Sequence, residues 1–395
     1  MRLVLTPEIF EQGAVEPSEL SQLLLLCRRP SAHFVAFTRR WMKQREDPVS
    51  RWLRQWPDPV RLQLDVVLSD ATESARRPRA ISVIVQTHGS RWRPEPGRGP
   101  RLSVSDALEM LRTPLHVLVE NRRNDGRFVA RMAVVLPEDQ RSLFDRAIRL
   151  GWCVFEQGGG LPEIRKMLED VVLEGDDAVL CPPAERREIR RWRLAVVVDR
   201  DALEPERPSS IPKSSWKAPP RDASRASAES SEVVLRGRAT LHEWEGREAT
   251  HQLHRRAIEN YLPARSLRAW VDLVGDASTR RFRRGAVEAL LTLDSPNPQG
   301  VRPRCYFNMK EGLRGDGPPG LQGDATADAH IHPFFRGLNA AQRSALQAGF
   351  NTRKEKIADL FHDRDVVSDE WLREELTRSG DQEAIALLNN LLNRL

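Results

Sequence analysis

Two carboxylates separated by one residue follow a short apolar run. Leu194 to Val198 reads L-A-V-V-V and leads directly into D-R-D, which supplies Asp199 and Asp201. A run this short and rich in β-branched residues predicts a strand buried on both faces. Residues two apart on an extended chain share a face, so Asp199 and Asp201 point the same way where the extended geometry continues. Paired carboxylates repel unless positive charge lies between them, and a hard divalent cation such as Mg²⁺ meets that need with oxygen ligands. A third acid stands in the same relation to another strand. Leu115 to Glu120, L-H-V-L-V-E, is a second apolar run closed by a carboxylate. Ligand sites in parallel α/β sheets form beyond the carboxyl ends of strands. Glu120, Asp199 and Asp201 are therefore expected on one rim, with a metal as the simplest relief of their repulsion.

The elements that must position these acids follow from the pattern around them. Ser103 caps a predicted helix, and an amphipathic helix is expected over 138–150. A strand over 152–155, a glycine-rich turn over 157–160, a helix over 161–173 and the strand over 190–198 come next. Strands alternating with helices of this length indicate βαβ units and a parallel sheet flanked by helices. Residues 1–110 read as a separate α+β module. It has strands at Arg2 to Leu5, 61–68 and 80–86, a helix from Glu16 to Leu26 with Ser18 as its cap, and one or two helices within 34–56. A Pro/Gly/Arg loop spans 89–100. In it Trp92, between Arg91 and Arg93, reads as packed against the module's edge, with stacking on a nucleobase as the alternative.

Residues 204–232 are rich in Pro, Ser, Arg and Ala and lack aliphatic periodicity, the signature of a disordered or long surface insert. A strand at Val233 to Leu235, a helix over His251 to Leu262 and a mainly helical region from 266 to 395 complete the reading. Three segments result: 1–110, 111–265 with the insert, and 266–395.

Composition narrows the class. With 395 residues and 40% hydrophobic content, the chain can bury a substantial core. A net charge of +6 suits a polyanionic partner such as nucleic acid. Cys27, Cys153, Cys181 and Cys305 are far apart, so no zinc knuckle or disulfide framework is expected. No apolar span is long enough to cross a membrane and the first residues lack a signal-peptide pattern, which predicts a cytoplasmic protein. His330 and His332, in H-I-H, read as unligated loop residues. No phosphate-binding G-x-x-x-x-G-K-[ST] motif is present.

Four stretches, in order, resemble the TOPRIM domain. Glu120 with N-R-R-N-D-G resembles its first acidic motif, although Asn121 stands where the family has Gly and Asp125 lies one residue late, so only Glu120 is carried over. W-C-V-F-E-Q-G-G-G resembles the second strand and its glycine, here Gly158 to Gly160, and V-V-V-D-R-D-A resembles the D-x-D motif. H-R-R-A-I-E-N-Y-L-P is similar to a segment of TOPRIM nucleases of the overcoming-lysogenization-defect family and their defence-system relatives, and it adds Glu259.

The resemblance implies a Mg²⁺- or Mn²⁺-dependent nuclease acting on DNA or structured RNA, an effector of bacterial anti-phage defence. Glu120, Asp199, Asp201 and Glu259 would be the metal ligands. It also implies a lysine that neutralises the phosphate, with Lys310, Lys354 and Lys356 as candidates and Lys356 preferred for its place before a C-terminal helix. Such nucleases are commonly fused to or paired with an ATPase; if one is needed here, it is a separately encoded chain. The alternative is a catalytically degenerate TOPRIM-like subunit serving as an interaction module. A homo-oligomer is compatible with either. The two tyrosines do not suit a topoisomerase: Tyr261, in I-E-N-Y-L, reads as a packing residue, and Tyr306 lies in C-Y-F-N-M.

Overall fold

Among the described residues, eight strands pair into two four-stranded sheets, and every strand-to-strand ladder is parallel. The computed structural model describes residues 1–28, 33–36, 48–74, 82–92, 99–172, 184–200, 241, 249–298, 300–313, 333–351 and 356–395. Asp201, Lys354, Cys181, His330, His332, the 204–232 insert and the Val233 to Leu235 strand lie outside the described residues.

The first sheet comprises β1 (Arg2–Leu5), β2 (Phe34–Ala36), β3 (Ser82–Gln86) and β4 (Arg101–Ser103), in the order β2-β1-β3-β4. The second comprises β5 (Leu115–Val119), β6 (Cys153–Gln157), β7 (Leu194–Val198) and β8 (Thr250–Gln252), in the order β6-β5-β7-β8. In each, the chain starts on an inner strand, lays the next on one side, then crosses to the other side. That reversal is the topological switch point of a doubly wound sheet, and in the second sheet it falls between β5 and β7. The N-terminal module is thus α/β with parallel strands, where α+β was expected.

Several local expectations are corrected: the N-cap position of Pro17–Leu26 is Glu16 and not Ser18, and Phe34–Ala36 is a strand where helix was expected. Residues 61–68 belong to helix α3 (Asp58–Ser74; α1 and α2 are Pro17–Leu26 and Pro48–Leu53). Leu64, Val67, Leu68 and Ala71 are buried at helical spacing, which overrides the strand preference of the valines. The segment before β7 is helical to Arg193, and the strand begins only at Leu194. The expected helix over 251–262 is instead β8, an irregular stretch and a 3-10 turn at Ile258–Tyr261.

Side-chain alternation divides the second sheet's two faces. Val117, Val119, Ala195 and Val197 join a large core with Phe128, Phe144 and the C-terminal Leu372, Leu387 and Leu391. Leu118, Leu194, Val196 and Val198 face a smaller core with Leu161, Ile164 and Leu168. Trp92 packs on the N-terminal core, as read from the sequence. Among the described residues no helix is long and apolar enough to cross a membrane.

The helices following β5 also hold the C-terminal region. Asp369 accepts from Arg131 at 2.9 Å and from Arg141 at 2.6 Å, tying α5 (Asp125–Met132) and α6 (Glu138–Arg149) to the helix Asp369–Leu376. (Helix α4 is Val104–Arg112, capped by Ser103 as expected.) Burial alone pushes the Asp369 carboxyl up, but the two arginine hydrogen bonds outweigh it and hold its pKa below 3.8. A folded pKa depressed in this way contributes stability that is present above the unfolded value and lost as pH falls through the folded one. Asp369→Asn should cost about 1–2 kcal/mol at pH 7. In urea melts the gap from wild type should close as pH falls below 3.8; a gap unchanged down to pH ~2 would contradict this.

Candidate metal centre

Asp199 is the first residue beyond β7, and the alternation that sends Ala195 and Val197 into the large core carries Asp199 toward the same side. It is 6% exposed. Glu259, in the turn Ile258–Tyr261, is 2% exposed. The two carboxylates meet around one cation: Lys310 Nζ lies 3.4 Å from Asp199 Oδ2 and 3.5 Å from Glu259 Oε1. The backbone N–H of Ile258 donates to Asp199 Oδ1 at 3.2 Å, locking the turn to the strand end. Glu259 Oε2 is buried and has no hydrogen-bond partner among the described residues.

The turn is held by polar side chains from three directions. Asn260 donates to the carbonyls of Arg304 and Phe307 at 2.8 and 3.0 Å and accepts from Ala257 N. Arg255 donates to Asn260 O and to Glu375 Oε1, at 2.9 and 2.6 Å. Arg304, 1% exposed, reaches the same Glu375 oxygen at 2.8 Å and Asp294 at 3.0 Å. Buried arginines are tolerable only with their donors satisfied this completely.

Lys310 is delivered by the stretch after Arg304. Asn308 Oδ1 accepts from the backbone N–H of Lys310 and of Glu311, bending the chain there. Gly312 and Gly349 then touch backbone to backbone. A Cβ on Gly312, whose φ is +67°, would lie 2.2 Å from Gly349 N, so only glycine fits.

Glu120 follows β5, whose register sets Val119 opposite Val197, so Glu120 falls one residue short of Asp199 along the same edge. Neighbouring strands are ~4.8 Å apart. Its carbonyl accepts from Gly159 N at 3.2 Å and from Gln157 Nε2 at 2.9 Å, so the glycine turn after β6 grips the backbone at Glu120. A Cβ on Gly158 would meet Ile164 at 2.3 Å. Asp125 accepts from Asn121 N at 2.7 Å and serves the turn rather than the rim.

The structure therefore joins Asp199, Glu259 and Lys310 directly and sets Glu120 on the adjacent strand end. Lys356 is exposed and precedes the turn Ile357–His362, with no ion pair among the described residues. Among the described residues Lys310, and not the preferred Lys356, is the lysine at the acids. Its sequence signal was N-M-K-E-G, an amide two residues before and a glycine two after. Tyr261 is buried, and its hydroxyl donates to Glu383 Oε2.

Arginines also gather around His362 and Arg131, a group with no signal in the sequence. Arg122, Arg123, Arg127 and Arg364 are exposed, and none forms an ion pair among the described residues. Burial first, then the charges of Arg123 and Arg127, push the His362 imidazole below 6.5. Comparison with protein-family models, curated proteins and solved structures returned no match.

Removing Lys310's charge leaves two buried carboxylates facing each other. Lys310→Met should destabilise the protein by about 2–4 kcal/mol in EDTA. Asp199→Asn should be less harmful in that background than in wild type. Equal effects of Asp199→Asn in both backgrounds would show that the three groups are not coupled.

Proposed function

We propose that this chain is a TOPRIM-type, divalent-metal-dependent nuclease that hydrolyses phosphodiester bonds of DNA or structured RNA. The observation that carries the reading is the burial of Asp199 and Glu259 around one positive charge at the switch-point edge of a parallel sheet. The donor set suits Mg²⁺ or Mn²⁺: it is all carboxylate, and Glu259 Oε2 is a buried oxygen with no hydrogen-bond partner among the described residues. Asp199 and Glu259 would hold the ion, with Glu120 on the neighbouring strand end and Asp201 as the further acids of the sequence motifs. Such an ion, when bound, activates water and stabilises the negative charge of phosphodiester hydrolysis.

The chain's own cations account for the remaining tasks. Lys310, 31% exposed at its side chain, is placed to neutralise a phosphate oxygen brought to the acids. Among the described residues Arg122, Arg123 and Arg127 form no ion pair, where many other arginines do. Arg131, Arg255, Arg268 and Arg304 all bind carboxylates. Unneutralised arginines gathered on one surface suit a polyanionic backbone.

The wider role follows from the sequence resemblance: an effector of anti-phage defence that acts with a separately encoded ATPase. One observation favours a second reading. Lys310 already balances the two acids, as it would in a degenerate subunit that keeps the TOPRIM shape for binding alone.

The assays separate the two. Purified protein, alone and with an ATPase encoded beside it, should cleave plasmid DNA or tRNA with Mg²⁺ or Mn²⁺. Asp199→Ala and Glu259→Gln should abolish cleavage, and Lys356→Met should leave it near wild type. Cleavage that persists in Asp199→Ala would refute the mechanism. Binding without any cleavage would support the degenerate reading. Arg123→Glu with Arg127→Glu should weaken nucleic-acid binding and flatten its log–log salt dependence by about 2.

A further inference from the structure

A second group of metal-ligating side chains stands beyond the end of β8. His254 Nδ1 lies 3.7 Å from Glu383 Oε2 and 4.0 Å from Asp381 Oδ1, and the three ligand atoms all fall within 4.8 Å of one another. Neither histidine contact is short enough for a direct hydrogen bond. Zinc bonds of about 2.0–2.1 Å in tetrahedral array separate ligand atoms by roughly 3.3–3.5 Å. The gap is thus that of groups facing a shared ion, within a small contraction.

Glu383 is oriented as an ion-binding carboxylate should be. Oε1 accepts from His251 Nε2 at 3.0 Å and from His254 N at 2.7 Å, and Oε2 accepts from Tyr261. A carboxylate has about four acceptor sites. Three are filled here, and Oε2, the oxygen nearer His254 Nδ1, keeps the fourth. Asp381 Oδ1 is fixed by the backbone N–H of Glu383 at 3.0 Å. Outer partners of this kind hold ligands in place for a metal. His254 is 60% exposed at its side chain, leaving an open side for water as a further ligand.

We propose that His254, Asp381 and Glu383 form a binding site for a first-row transition ion of borderline character, Zn²⁺ in the first instance. The mixed nitrogen and oxygen donors set it apart from the all-carboxylate rim at Asp199 and Glu259. The ion fastens the end of β8 to the start of the helix Glu383–Arg394, and through Tyr261 it braces the turn that carries Glu259. The site stands independently of the nuclease reading.

Co²⁺ serves as a spectroscopic probe on the full chain, stripped of metal and supplied with excess Mg²⁺ to cover the rim. The expected result is one equivalent of Co²⁺ with visible d–d bands, displaced by Zn²⁺. The bands should be lost in His254→Ala and Asp381→Asn and kept in Asp199→Asn. His254→Ala should weaken Zn²⁺ binding by more than about 100-fold and remove any rise in Tm that Zn²⁺ gives wild type. Because His254 is largely exposed, its loss spares the core; circular dichroism checks this, and Asp381→Asn provides the second variant. Three results overturn the site: no bands in wild type, bands that survive both His254→Ala and Asp381→Asn, or bands lost in Asp199→Asn.

Discussion

Two carboxylates almost wholly removed from water cannot sit side by side without positive charge, and the architecture around Asp199 and Glu259 follows from that constraint. Charges withdrawn from water cost several kcal/mol each unless paired and hydrogen-bonded. The pair is brought together from β7 and from a turn 60 residues later in sequence, and its cation from a third segment. Each delivery is fixed separately. Asp199 is held by Ile258 N, the Glu259 turn by Asn260, and the Lys310 loop by Asn308 and the Gly312–Gly349 contact. Behind them, the buried chain Arg255–Glu375–Arg304–Asp294 fastens the turn to the Lys310 loop.

What was legible in the sequence is what one strand can express locally. L-H-V-L-V and L-A-V-V-V announce burial on both faces, and the acid after each run marks the edge where a parallel sheet offers a ligand site. The glycines after β6 were legible too, since Gly159 and Gly160 take φ of +72° and +110°. The His251 to Leu262 stretch was not. Its apolar spacing fits a helix, yet edge pairing with β7 claims Thr250 to Gln252, and Arg255 and Asn260 spend their side chains on distant backbone. Lys310 was illegible as the site lysine for a related reason. Its position depends on a glycine contact with a segment 37 residues away from Gly312, and no local pattern records that.

The parallel character of the first sheet was hidden by size. β2 and β4 are three residues each, too short for a period to show, and α3 disguised itself with valines. Both sheets place the first strand inside and reverse direction next to it, so each has a switch-point edge. Only the second sheet furnishes that edge with acids directly after two adjacent strands. Topology supplies the opportunity for a site, and the residue after each strand decides whether it is used.

The turn Ile258–Tyr261 explains why the region is a 3-10 segment and not an α-helix. In a 3-10 turn, residues three apart eclipse one another. Ile258 and Tyr261 therefore stack on one side, into the core with Phe128, whose ring centroid lies 5.0 Å from that of Tyr261. Glu259 and Asn260 are left with separate directions, one toward Lys310 and the other toward the carbonyls of Arg304 and Phe307. The 100° step of an α-helix would disturb that stacking and move the Tyr261 hydroxyl off Glu383 or Glu259 off Asp199's lysine. Four consecutive residues thus bind four different parts of the fold, and one tight turn touches both Asp199, through Ile258 N, and Glu383, through Tyr261.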